Sequence, residues 1–151
     1  MRNITYTHDY FMCDINRIMN WCKNIEYTPD IIVGFARGGL VPGVYLSHRL
    51  NAPFKPIQLA TRDHVDFNMK DIYKIVNDLV EKYDKILVIE DIIDTGRTLE
   101  LFTQPIRPDD VNKFKFISLW WNSSQLFQVD FRCNVFDSNI EEVWVKFPWE
   151  I

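Results

Sequence analysis

A single α/β domain, with a mainly parallel sheet flanked by helices, is predicted from three observations. Short apolar runs without alternation, Ile31-Ile32-Val33 and Ile86-Leu87-Val88-Ile89, read as strands buried on both faces. Between such runs the apolar residues recur at steps of three and four, the stripe of an amphipathic helix. The chain has 151 residues with no internal repeat, low-complexity segment or linker, the size of one domain.

The elements follow in order. Residues 4–7 are a short strand candidate, and Phe11, Ile15, Ile18, Cys22 and Ile25 mark one face of a helix. The Tyr-Thr-Pro-Asp stretch at 27–30 is a turn, because Pro29 keeps the residue before it out of helix. Strand 31–33 runs into Gly34, and 40–50 reads as a helix with Pro42 tolerated in its first turn. After the Asn51-Ala52-Pro53 turn comes a strand over 54–60. Ile72, Ile75, Val76, Leu79, Val80 and Tyr83 form a second helical stripe, starting near Met69. Strand 86–89 ends on Glu90 and Asp91, and a short helix over 98–102 is stopped before Pro105 and Pro108. Residues 114–121, 133–136 and 143–145 complete the strands. Strands alternating with helices give a parallel sheet, whose ligands sit at the C-terminal strand ends. That places a site at 34–39, at 90–98 and after Trp121.

Composition narrows the function classes. A hydrophobic share of 47% and a charged share of 25% are those of a folded globular chain. A domain of this size buries roughly 70% of its unfolded surface, so it needs no metal or disulfide staple. The net charge of −4 lacks the electrostatic footprint of a nucleic-acid binder, so no nucleic-acid partner is expected. No apolar stretch approaches the roughly 20 residues that span a membrane, so no membrane partner is expected either. The first nine residues have no apolar core or small-residue cleavage site, and no signal peptide is expected. Cys13, Cys22 and Cys133 form no C-x-x-C pair and read as free thiols of a reducing, cytoplasmic compartment. His8, His48 and His64 show no metal-binding spacing. The aromatic share of 15%, with five Trp, six Tyr and eleven Phe, leaves rings available as stacking surfaces.

The most informative segment is Ile86-Leu-Val-Ile-Glu90-Asp91-Ile-Ile-Asp94-Thr95-Gly96-Arg97-Thr98. It combines a buried strand, paired carboxylates, and a hydroxyl- and glycine-rich turn opening a helix. Backbone N–H groups of such a turn, with the Thr95 and Thr98 hydroxyls, suit a phosphate. The acids suit sugar hydroxyls or a Mg²⁺ held by oxygen ligands. Together they describe a site for a phosphorylated ribose. The second segment, Gly34-Phe35-Ala36-Arg37-Gly38-Gly39-Leu-Val-Pro42-Gly43, sets a bidentate phosphate donor, Arg37, beside glycines that let backbone approach an anion. It is not G-x-G-x-x-G, so no dinucleotide fingerprint is present.

The first segment resembles the phosphoribosyl-diphosphate (PRPP) signature of type I phosphoribosyltransferases, and the second resembles the diphosphate-binding loop of their xanthine–guanine/hypoxanthine branch. A third match is the tail, Trp144-Val145-Lys146-Phe147-Pro148-Trp149-Glu150, which resembles that branch's Trp-Ile-x-x-Pro-Trp-Asp. The resemblance implies the type I fold, with a small hood formed by the C-terminal segment. It implies transfer of a 5-phosphoribosyl group from PRPP to a nucleobase, with release of diphosphate. Glu90 and Asp91 would hold the ribose and Mg²⁺, and Asp94, Thr95, Gly96, Arg97 and Thr98 the rest of PRPP. Ala36, Arg37, Gly38 and Gly39 would hold diphosphate, with a strained, often cis, peptide at Ala36–Arg37. Asp94 and Arg37 are the catalytic candidates, and Asp94 is the partner of a purine ring nitrogen. Trp144 would stack on the base, Val145 would meet its edge, and Trp120, Trp121 and Trp149 would cluster at the same pocket. A homodimer or homotetramer is the expected assembly.

Two departures from the family stand out. Where its 6-oxopurine enzymes carry a base-reading lysine, this chain has Asn122, which can donate or accept and so could read a 6-oxo or a 6-amino group. The base therefore stays open among purines, with hypoxanthine, guanine or xanthine expected from the resemblance. The family's long mobile loop is reduced to 61–67, where Arg62 and His64 are the groups able to reach diphosphate. The alternative to an enzyme is a non-catalytic regulator of the same fold that senses PRPP or nucleotides. Retention of Asp94, Arg37 and both acids favours the enzyme.

Overall fold

The structure is a computed structural model and describes residues 1–59 and 68–150. The elements run β1 (Arg2–Thr5), α1 (His8–Asn24), β2 (Ile31–Ala36), α2 (Leu40–Leu50), β3 (Phe54–Gln58), α3 (Met69–Lys82), β4 (Ile86–Ile93), α4 (Arg97–Thr103), a 3-10 turn (Pro108–Lys113), β5 (Phe114–Asn122), β6 (Phe131–Phe136) and β7 (Val143–Lys146). The 61–67 loop, with Arg62 and His64, lies outside the described residues, as does the end of the strand expected over 54–60.

Five strands form one sheet in the order β3-β2-β4-β5-β6, and every pairing in it is parallel. Side-chain alternation along buried strands feeds two cores. On one face Ile32, Leu87, Ile89, Ile117 and Leu119 pack under α1 and α2, with Phe11, Ile15, Ile18 and Leu46. On the other Val33, Phe35, Ile86 and Val88 pack under α3 and α4, with Ile72, Val76, Leu79 and Phe102. Helix starts are fixed locally: Thr7 accepts from Tyr10 N at 3.2 Å to cap α1, and Asn68 accepts from Lys70 N at 3.0 Å to cap α3.

Two expectations need correction. β4 does not stop at Ile89 but continues through Glu90 and Asp91 to Ile93, because β5 extends beside it, with Ile92 opposite Trp120 and Ile93 opposite Trp121. The hood is not built by the C-terminal segment alone. β1, placed at Arg2–Thr5 rather than 4–7, pairs in parallel with β7, Arg2 opposite Val143 and Thr5 opposite Lys146. A two-stranded ribbon is marginal by itself, and this one is pinned by Tyr6. Its amide donates to Lys146 O at 3.0 Å, and its ring meets Phe147 edge-on with centroids 5.4 Å apart. Its hydroxyl donates to Asp14 Oδ2 at 2.6 Å, and that buried carboxylate also accepts from Asn134 Nδ2 at 2.7 Å and from Arg17 at 3.2 Å.

Candidate active site

Strand order sets where a ligand can sit. After β2 the chain turns outward to β3, then crosses back to place β4 on the other side of β2. The loops leaving β2 and β4 therefore diverge, and a crevice opens between them at the switch point. A cavity of about 900 Å³ occupies it, reaching from both loops to the inner side of the hood.

The β2 loop carries the non-proline cis peptide Ala36–Arg37. Gly38 follows against Asp91, and a Cβ there would overlap the Asp91 carboxylate, so only glycine lets the loop lie this close to β4. Asp91 is buried and fixed locally, its Oδ1 accepting from Ile92 N at 2.7 Å. Gly39 stands behind the wall, its amide donating to Phe35 O at 2.8 Å. Of the four residues expected at the diphosphate, Ala36, Arg37 and Gly38 line the cavity and Gly39 does not.

From the other side, Glu90, Asp91 and the turn from Asp94 to Thr98 line the cavity. Gly96 holds φ +79°, a left-handed conformation that makes the turn possible, and α4 starts there without a side-chain cap. Thr95 Oγ1 accepts weakly from Arg97 N at 3.4 Å. Ala36, Arg37 and Gly38 face these residues across the same space.

The hood supplies the third wall. Trp144 on β7 lines the cavity with 55% of its surface exposed, which is not the position of a core residue. Val145 beside it is buried and also reaches the cavity. Trp149 lines the cavity as well, stacked on Phe147 with centroids 5.0 Å apart. Trp121 does not: it is buried in the opposite core, its indole N–H donating to Phe127 O at 3.0 Å. Trp120 instead borders a separate hollow with Arg2 and Val135. The expected cluster of tryptophans is reduced to Trp144 and Trp149.

Asn122 requires the largest revision. It is 3% exposed and is not among the residues that line the cavity, so the structure does not bring its side chain to the place expected of a base reader. Its Oδ1 accepts from the backbone N–H groups of Ser124 and Ser138, both at 3.1 Å, and from Ser124 Oγ at 2.7 Å. Its Nδ2 donates to Asp94 O at 3.1 Å, Asp94 Oδ1 at 3.2 Å and Ser138 Oγ at 2.9 Å. Asn122 thus ties the Asp94 turn to the loop between β6 and β7. Ser138, which does line the cavity, carries no sequence signal: it is one polar residue in an ordinary turn.

Among the described residues no group of three or more His, Cys, Asp or Glu converges on a point. The protein side of the cavity offers the carboxylates of Glu90 and Asp91. That donor set fits Mg²⁺, which keeps water and substrate phosphate oxygens as ligands beside one or two carboxylates.

The Ala36–Gly38 loop, the carboxylate-bearing end of β4, the Asp94–Thr98 turn and Trp144 of the hood thus line one cavity at the switch point of a parallel sheet. The phosphoribosyl transferase domain model matches residues 4–151, and the chain belongs to that family of transferases. It is 26% identical over 123 residues to the xanthine-guanine phosphoribosyltransferase of Idiomarina loihiensis, covering 80% of this chain and 70% of that protein. It is 29% identical over 92 residues to the adenine phosphoribosyltransferase of Synechocystis, covering 56% of this chain and 54% of that protein. The purine phosphoribosyltransferase of Pyrococcus horikoshii superposes with a TM-score of 0.74 at 26% identity, over 100% of this chain and 96% of that one.

Proposed function

We propose that this domain transfers the 5-phosphoribosyl group of PRPP to a ring nitrogen of a purine, releasing diphosphate. The observation that carries this reading is the meeting, in one cavity, of the Arg37–Gly38 loop, the Glu90–Asp91 pair, the Asp94–Thr98 turn and the Trp144 face. The turn suits the 5′-phosphate, and Glu90 and Asp91 suit the ribose hydroxyls and Mg²⁺. Arg37 suits the diphosphate. Trp144 offers a plane for the base.

The ring nitrogen attacks C1 of the ribose as the bond from C1 to the diphosphate oxygen breaks. Positive charge that develops on the ribose ring is stabilised by the nearby carboxylates. Mg²⁺, when bound through Glu90 and Asp91, supplies neutralisation of charge on the diphosphate. Arg37 steadies the departing oxygens, and Asp94 accepts the proton of the purine ring nitrogen. The hood covers the base and limits water at the reacting carbon. No helix among the described residues is long and apolar enough to cross a membrane. A cytoplasmic salvage role, as a homodimer or homotetramer, completes the proposal.

The test is incubation with PRPP, Mg²⁺ and, in turn, hypoxanthine, guanine, xanthine, adenine and pyrimidines, measuring diphosphate release. Release with a purine is expected. No release with any base would replace the enzyme by a PRPP- or nucleotide-sensing regulator.

A further inference from the structure

We infer that Asn122 is a positioning residue for the reaction proposed above, holding the Asp94 carboxylate in the orientation that accepts the purine proton. The inference rests on that reading of Asp94. The backbone shows why a side chain is needed here. The β4–β5 ladder ends at Ile93 opposite Trp121. Asp94 is the first residue past it, in the bend that leads to α4. Asn122 follows Trp121, and its amide takes over where the ladder stops, Nδ2 donating to Asp94 O at 3.1 Å.

Chemistry fixes the direction of each bond. Two backbone N–H groups, of Ser124 and Ser138, converge on one terminal atom of the Asn122 amide, which is therefore its oxygen. The other terminal atom faces two oxygens of Asp94 and is the nitrogen. A primary amide has two N–H hydrogens and two oxygen lone pairs. The hydrogens go to Ser138 Oγ at 2.9 Å and to the Asp94 oxygens at 3.1 and 3.2 Å. The amide oxygen, besides the two N–H groups, accepts from Ser124 Oγ at 2.7 Å. Every donor and acceptor of the amide is engaged inside the protein. Any effect of Asn122 on the reaction therefore passes through a neighbour, and Asp94 is the neighbour with acid–base chemistry.

One nitrogen gripping a carbonyl and a carboxylate oxygen of the same residue restricts rotation about the Asp94 Cα–Cβ bond. Asn122 itself stands on the sheet, 3% exposed, at the end of β5 and opposite Phe136 of β6. Asp94 lines the cavity, so the rigid strand reaches the reacting space through this contact. A proton acceptor must lie within hydrogen-bond reach of its proton. A misplacement of about 1 Å costs about 10²-fold in rate.

The experiment uses the full chain and follows single-turnover diphosphate release at saturating PRPP and Mg²⁺. The base is whichever of hypoxanthine, guanine, xanthine and adenine the native protein uses fastest, and PRPP affinity is read by calorimetry. Asn122→Ala is expected to slow release about 10- to 100-fold while PRPP affinity stays within about threefold. Asn122→Ser, which leaves a smaller cavity, is expected to give the same split. In an Asp94→Asn background either substitution is expected to cost less than about threefold more, because no proton acceptor is left to position. Ser124→Ala removes one hydroxyl from the network but keeps the Asn122–Asp94 bonds, and is expected to release diphosphate within about twofold of the native rate. Near-native release by both Asn122 variants, or equal losses in both backgrounds, overturns the inference and leaves Asp94 as proton acceptor. So does a loss in Ser124→Ala as large as in Asn122→Ala, or failure of both Asn122 variants to fold. No release by the native protein, or native release by Asp94→Asn, overturns the proposed reading and the inference together.

Discussion

The Cα of Gly38 rests against the carboxylate of Asp91, so close that any β-carbon at Gly38 would overlap it. Two strand ends are joined there by absence of a side chain, and the floor of the cavity depends on it. Gly38→Ala is expected to push the β2 loop away from β4, with an overpacking cost of about 1–3 kcal/mol in melting experiments. Because the loop carries Arg37, KM for PRPP should rise more than kcat falls. A variant with native stability and native KM would show that the loop has room to spare.

Asp94→Asn keeps the shape of the side chain but removes the carboxylate that accepts a proton. Turnover is expected to drop about 10²–10⁴-fold, the range for loss of a general base, while PRPP still binds. Steady-state kinetics beside PRPP calorimetry separates the two effects. Unchanged turnover would remove Asp94 from the mechanism.

Trp144→Ala tests the stacking plane. Since the ring is 55% exposed, its loss should leave the melting temperature nearly unchanged. Affinity for the base or its nucleotide should weaken by about 1–3 kcal/mol, the usual worth of one base–aromatic stack. A large drop in stability with unaltered affinity would return Trp144 to a packing role.

Stability should depend on pH on the alkaline side. Burial first, then the hydrogen bond to the Asp14 carboxylate, push the Tyr6 hydroxyl well above the ordinary tyrosine range. Burial likewise raises Tyr27 and Cys133, and pushes the Cys22 thiol up to about 11. Below the unfolded-state values, about 8.5 for Cys and about 10 for Tyr, both states are protonated and stability is full. As pH climbs past them the unfolded chain sheds protons that the folded one keeps, so stability falls. Tyr6→Phe is expected to lower stability at neutral pH by about 1–3 kcal/mol and to flatten the decline above about pH 10. A melting-temperature series from pH 7 to 11 checks both; an equally steep decline in the variant would separate Tyr6 from it.

Legibility in the sequence followed the range of the forces. β2 and β4 announced themselves, because a strand buried on both faces must be apolar throughout. The stripes of α1 and α3 were equally plain. The continuation of β4 through Glu90 and Asp91 was hidden, since acids read as a strand end until β5 is seen to run alongside. β1 was displaced because its register is set by β7, a partner at the far end of the sequence. Asn122 illustrates the limit at the site: motif position pointed to the base, but its side chain turns inward and satisfies three neighbours. Ser138 was invisible, because its place beside Asn122 is set by a hydrogen bond between residues 16 positions apart.

The β1–β7 ribbon is a sheet of its own, separate from the five strands whose loops line the cavity. Its backbone amides should therefore exchange with solvent at a free-energy cost below that of global unfolding, while those of β4 exchange only when the whole chain unfolds. Exchange in that pattern would make the molecule two cooperative units of unequal firmness. The rigid one carries the β2 and β4 loops that line the cavity, and the softer one, clasped by Tyr6 to Asp14, forms the wall opposite them.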